Sequence, residues 1–198
     1  MRFGIIAAVT CGLLALSVPA VAQEGGGKIV GKILAQKKMA KLPAGPLFWR
    51  IETFGTVADA NAAAGPTGLV GEASGKAWLF TLSPKGQASK GGSKVAEIGP
   101  LAEVTASEYL LEVRQLGGAP GAMSIVHTHP GPEAVYVIAG EQTHKTPHGV
   151  NRLGPGQSLA GHGANTPMQS TSSGKTDLNT LVMFVLDASK PFASPAKF

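Results

Sequence analysis

His127 and His129 stand two residues apart in the stretch Gly121 to Gly140, GAMSIVHTHPGPEAVYVIAG, and Glu133 follows four residues after the second histidine. In an extended strand, side chains two apart share a face, so both imidazoles can converge on one point. Pro130, Gly131 and Pro132 interrupt that strand, since Pro offers no N–H to a ladder and Gly permits a sharp reversal. Glu133 then opens EAVYVIA, a β-branched apolar run of the kind that forms strands. A hairpin here returns Glu133 to the side of the imidazoles. Two imidazoles and a carboxylate are costly to bury without a shared partner. Together they make a ligand set suited to one divalent ion of Fe, Mn, Ni, Cu or Zn.

The order Gly, five residues, His-x-His, three residues, Glu, six residues, Gly is filled by Gly121, His127, His129, Glu133 and Gly140. This pattern resembles the first motif of the cupin superfamily. The resemblance covers 94–191 and implies an all-β, cupin-type jelly-roll β-barrel with a metal held by His127, His129 and Glu133. It also implies a homodimer, with strands from 47–83 as the candidate interface. It does not select a reaction, because cupins include oxygenases, isomerases, sugar-binding sensors and storage proteins.

A second cupin motif usually supplies a fourth, histidine ligand. The corresponding stretch is Gly156 to Gly174, GQSLAGHGANTPMQSTSSG, which places Met168 at that position with a spacing one residue too long. A thioether is a soft ligand that suits Cu(I) better than Fe(II), Mn(II) or Zn(II), so Met168 reads as a pocket wall. His162, between two glycines, is one substitute ligand. His144 shares a strand face with Gln142; if that face points inward, His144 or Gln142 lines the pocket, and ligation by His144 is a further, less favoured alternative. His148 sits in the turn Thr146-Pro147-His148-Gly149 and reads as solvated. Ile125, Val135 and Val137 alternate with the ligands and give the pocket apolar walls. The default is three protein ligands with the remaining positions open to water or substrate.

Two functions fit such a site. One is a small-molecule dioxygenase in which Glu133 also serves as a base. The other is a non-enzymatic protein that binds a metal or small ligand. A sugar isomerase is a weaker third reading, since the pocket offers few further acid–base groups. No Ser-His-Asp set, catalytic Cys or phosphate loop is visible downstream of residue 22.

Residues 1–22 read as a secretory signal peptide: Arg2, an apolar run over 4–18, then Ala20-Val21-Ala22 before the cut. The product is secreted or periplasmic, keeps no stable membrane anchor and loses Cys11, the sole cysteine. Residues 23–46 form an N-terminal arm. Lys28 to Lys41 carries five lysines, and apolar positions 29, 30, 33 and 34 fit a helical stripe. That allows a basic amphipathic helix at a membrane, though an arm packed over the barrel with solvated lysines is favoured.

Residues 47–93 hold extra strands and one short helix packed on the barrel. Strands are expected at 47–53, 69–72 and 77–82, and a helix at 58–64 with Thr56 as N-cap and Asp59 in its first turn. Further strands follow at 94–98, 109–116, 141–145, 150–153, from 157, and at 181–186. With 27 Gly and 14 Pro and only 15% charged residues, the chain suits short strands joined by tight turns. The modest positive charge, formally +5, points weakly to an anionic partner such as a carboxylate ligand or an acidic surface, while the lack of a nucleic-acid motif and the 6% aromatics argue against a base-stacking surface. The expected partner is a small-molecule ligand or substrate.

Overall fold

The computed structural model describes residues 27–86 and 88–198, so 1–22, the expected signal peptide, lies outside the described residues. The chain forms β1 (Val30–Met39), β2 (Phe48–Phe54), α1 (Val57–Ala63), β3 (Gly68–Ala73), β4 (Lys76–Ser83) and β5 (Ser93–Ile98). The motif region follows with β6 (Tyr109–Gly118), β7 (His127–Thr128), β8 (Glu133–Ala139), β9 (Gln142–Thr146) and β10 (Gly149–Leu153). It closes with β11 (Ser158–Ala160), β12 (Gln169–Ser172), β13 (Leu178–Asp187) and β14 (Ser194–Pro195).

From β6 onward the strands interleave between two sheets. One runs β6-β13-β8-β11, and the facing one runs β10-β9-β12. β7 extends the second sheet, because His127 and Met168 exchange both backbone hydrogen bonds, at 3.0 and 2.8 Å. Successive strands therefore leave one sheet for the other and return, which is the order of a jelly roll. The expected all-β jelly-roll barrel with one short helix is the fold observed.

The sheet containing β13 is covered on both faces. Leu181, Met183 and Val185 meet Trp49, Ile51, Trp78, Phe80 and Leu82. Their neighbours Val182, Phe184 and Leu186 meet Val135, Val137 and Leu153 inside the barrel. The outer layer is a second sheet, β3-β4-β2-β5. Strand 94–98 thus joins this outer sheet rather than the barrel. α1 covers its far side, packing Ala60 with Phe54, Ala77 and Leu79. Thr56 caps that helix, its Oγ1 accepting from the Asp59 N–H at 3.1 Å. The apolar face of the strands over 47–83, the expected dimer surface, is buried against the chain's own barrel.

The segment Lys28 to Lys41 is not a helix. β1 pairs antiparallel with β6 from Val30↔Gly117 to Met39↔Tyr109 and extends the barrel sheet at its edge. A bulge between Ile33 and Ala35 inserts an extra residue and breaks the two-residue alternation. That break leaves apolar side chains at 29, 30, 33 and 34, which imitate a helical stripe.

The Pro-Gly-Pro segment also differs from expectation. β7 and β8 do not pair as a hairpin: β7 pairs with β14, while β8 pairs with β13 and β11. Residues 130–132 carry the chain from one sheet to the other along β13. The carbonyls of Pro130 and Pro132 accept from Asp187 and Val185 N–H, each at 3.1 Å. Gly131 is required by proximity, since a Cβ there would lie 2.0 Å from the Val185 carbonyl oxygen. Gly131→Ala is expected to destabilise the protein by about 1–3 kcal/mol, the usual range for overpacking, and a lowered urea midpoint measures it.

Candidate functional site

His127 and His129 each hold one ring nitrogen on a backbone carbonyl. His127 Nδ1 lies 2.8 Å from the Ile125 oxygen and His129 Nδ1 2.7 Å from the Phe192 oxygen. A carbonyl only accepts, so each ring in its neutral form carries its proton on Nδ1. Both Nε2 lone pairs are left free to bind something else. The two rings stand edge to face with centroids 4.9 Å apart. Phe184 and Phe192 flank His129 at 4.9 and 4.8 Å and keep water from it.

Glu133, the first residue of β8, is 5% exposed. Its Oε2 lies 3.9 Å from His129 Nε2, and its Oε1 lies 3.7 Å from His144 Nδ1. His144 enters from β9, whose alternation puts Gln142, His144 and Thr146 inward and Lys145 outward. His144 is fully buried, and neither of its ring nitrogens has a hydrogen-bond partner among the described residues. Gln142, by contrast, is anchored to Ser170 Oγ at 3.1 Å.

A cavity of about 190 Å³ opens beside these groups, lined by His127, His129, Glu133, Val135, Gln142 and Arg114 among others. Arg114 stands over the Phe192 ring at 3.6 Å, and its Nε donates to Glu112 on the same strand. A guanidinium at the cavity wall was not among the expected site residues. Neither was Phe192, which the chain brings back from beyond β13.

The remaining expected residues fall around this centre unevenly. Val137 is buried in the barrel core behind Val135. Met168 is 2% exposed and directly opposes His127. Ile125 is no pocket wall: it is 67% exposed, because 121–126 bend instead of forming a continuous strand, so alternation cannot be carried back from His127. His162 packs its ring on exposed His148, with centroids 4.5 Å apart.

Burial sets the protonation states. Desolvation pushes Glu133 up to about 7. Desolvation also pushes His129 down to about 4, with Phe192 bonding opposing and His127, Arg114 and His144 reinforcing. His144 falls to about 4 for the same first reason, reinforced by His162 and His127.

These residues fit a divalent transition ion in kind: imidazole nitrogens with free lone pairs, a buried carboxylate and an orphaned buried ring. The spacings of 3.7 and 3.9 Å exceed the roughly 3.0–3.5 Å separating atoms bound to one ion at 2.0–2.2 Å. Among the described residues no three His, Cys, Asp or Glu side chains already stand in a coordinating array. Side-chain shifts of about half an ångström would bring them into the range of those bonds.

No family model matches the chain, and no curated protein does. Solved structures resemble part of it. A cupin-like protein from Thermotoga maritima is 17% identical with a TM-score of 0.40, covering 43% of this chain and 64% of its own. The DMSP lyase DddQ from Ruegeria pomeroyi is 23% identical with a TM-score of 0.39, covering 43% of each. A cupin-2 domain protein from Rhodospirillum rubrum is 18% identical with a TM-score of 0.38, covering 44% and 57%. The chain therefore spans less than two thirds of each of these structures.

The protonation pattern dictates a pH response without metal. The raised carboxyl of Glu133 contributes stability below about 4.5 that is lost as pH rises through about 7. The depressed imidazoles of His129 and His144 contribute stability above about 6.5 that is lost as pH falls through about 4. Urea midpoints measured in chelator should reflect both trends. Glu133→Gln is expected to remove the loss between pH 5 and 7 and leave the acid-side loss in place.

Proposed function

We propose that this chain, a cupin-type jelly roll by strand order and first motif, is a metal-dependent protein acting on a small anionic molecule. The observation that carries the reading is the anchoring of His127 and His129 by carbonyls, which leaves both Nε2 lone pairs free beside buried Glu133. Outer-sphere contacts of this type fix the tautomer of metal-binding histidines. His127, His129 and Glu133 would hold the ion. When bound, it would supply Lewis acidity or, as iron or copper, a redox couple of the kind dioxygenases use.

The chain's own groups give the rest. Arg114 offers a positive charge to a carboxylate in the cavity, and its plane is steadied by Phe192 and Glu112. Phe184 and Phe192 exclude water from His129. Without the ion, desolvation holds the Glu133 carboxyl up at about 7; detached from the ion, Glu133 would be the site's base. A cavity of about 190 Å³ is smaller than the roughly 300–1,000 Å³ of usual ligand pockets, so the substrate is small. Export through 1–22 and pairing of two copies belong to the same proposal.

Wild-type protein is expected to bind one divalent ion per chain, and His127→Ala or His129→Ala to lose stoichiometric binding by metal analysis. Wild-type-like metal in both variants would refute the site. Oxygen uptake by the iron-loaded protein over small carboxylates separates the dioxygenase from a binding protein without turnover. Arg114→Gln is expected to weaken a bound carboxylate roughly tenfold to hundredfold, the loss of one charge-assisted hydrogen bond, with metal content unchanged. Unaltered carboxylate affinity by titration calorimetry would remove Arg114 from the site.

A further inference from the structure

We propose that His144 is the fourth protein ligand of that metal, supplied from β9 in place of a histidine on the strand that carries Met168. The inference rests on the metal reading above and concerns this chain's departure from the usual second motif.

His144 is fully buried, and both ring nitrogens lack a partner among the described residues. Its contact with Glu133, at 3.7 Å, is too long for a hydrogen bond. A neutral imidazole carries one donor and one acceptor. Leaving a buried polar group without a partner is costly, so an orphan at the centre of a barrel calls for a partner the protein itself does not supply. The other inward imidazoles each already hold a carbonyl through Nδ1. Of the three inward imidazoles among the described residues, His144 has neither nitrogen engaged, and it stands 3.7 Å from Oε1 of the same carboxylate whose Oε2 is 3.9 Å from His129.

The sheet explains how β9 can replace β12. Met168, just before β12, opposes His127, while Ser170 on β12 opposes His144. Directly opposed residues of antiparallel strands share a face. Thus His127, Met168, Ser170 and His144 all project toward the barrel interior. The two short or soft side chains lie between the two imidazoles. Met168 and Ser170 leave the middle strand without a nitrogen ligand, and the adjacent strand provides one from the other side.

X-ray absorption of Co(II)-loaded protein, with Co(II) titration, decides the matter. Wild-type protein should show three imidazoles and His144→Ala two, with Co(II) affinity falling by more than the roughly 10–100-fold that loss of an outer-sphere partner costs. Free imidazole added to His144→Ala should restore the third ring. Two imidazoles in wild type, or an unchanged count in His144→Ala, overturns the assignment while leaving the metal reading intact. Failure of wild type to bind Co(II) overturns both. Should His144→Ala not fold, the wild-type count alone decides.

Discussion

A strand that is apolar on both faces must be covered twice. β13 presents Leu181, Met183 and Val185 to one side and Val182, Phe184 and Leu186 to the other, and all six are buried. A jelly roll alone covers only its interior face. The outer face would be an exposed greasy sheet if Trp49, Trp78, Phe80 and Leu82 did not lie across it. The outer sheet is therefore a structural necessity of this barrel. Its cover also frees the interior face to hold a polar site. Glu133 begins the strand beside β13, and its neighbour Ala134 packs outward with Leu181 and Met183. The alternation of β8 then aims the carboxylate inward.

Much of this architecture was legible because turns and alternation are local. Thr56 and Asp59 marked the helix start, and Ser74-Gly75 marked a hairpin whose two residues take φ of 51° and 70°. β1 was not legible, for a physical reason. Its bulge at Ile33 to Ala35 shifts the register, and its lysines follow the needs of an edge rather than a face. Lys32 and Lys38 are exposed, while Lys37 Nζ reaches the carbonyls of Pro66 and Gly68 at 2.9 and 3.3 Å. Lysines at a sheet edge discourage pairing with another chain. A charge pattern that resembled a membrane helix has a different use at a strand edge.

The candidate site was half legible. His127, His129 and Glu133 stood out by spacing, but the expected hairpin between them is absent. The residues meet across the gap between two sheets, and spacing alone does not distinguish the two routes. His144 could be placed among the pocket residues, but as a ligand it ranked behind His162. Lys145, exposed beside it, was the available sign that His144 points inward. Arg114 and Phe192 left no local signal, because the contacts that matter join β6, β7 and the segment after β13. Ile125 failed for the opposite reason: a bend at Val126 ended the alternation that had placed it.

The electrostatics of the site show why these groups belong together. Each buried ionisable group here is driven toward its neutral form by desolvation: Glu133 upward, His129 and His144 downward. Two neutral imidazoles and a protonated carboxyl satisfy burial, but they leave His144 without a hydrogen bond. Hydrophobic residues of similar volume would fill the same space without that cost. A divalent cation held by His127, His129 and Glu133 would reverse the balance, since it would favour the carboxylate and use the imidazole lone pairs. The arrangement is costly as a core and would be favourable as the ligand set proposed above. That asymmetry is the physical ground for reading the barrel interior as a site rather than as packing.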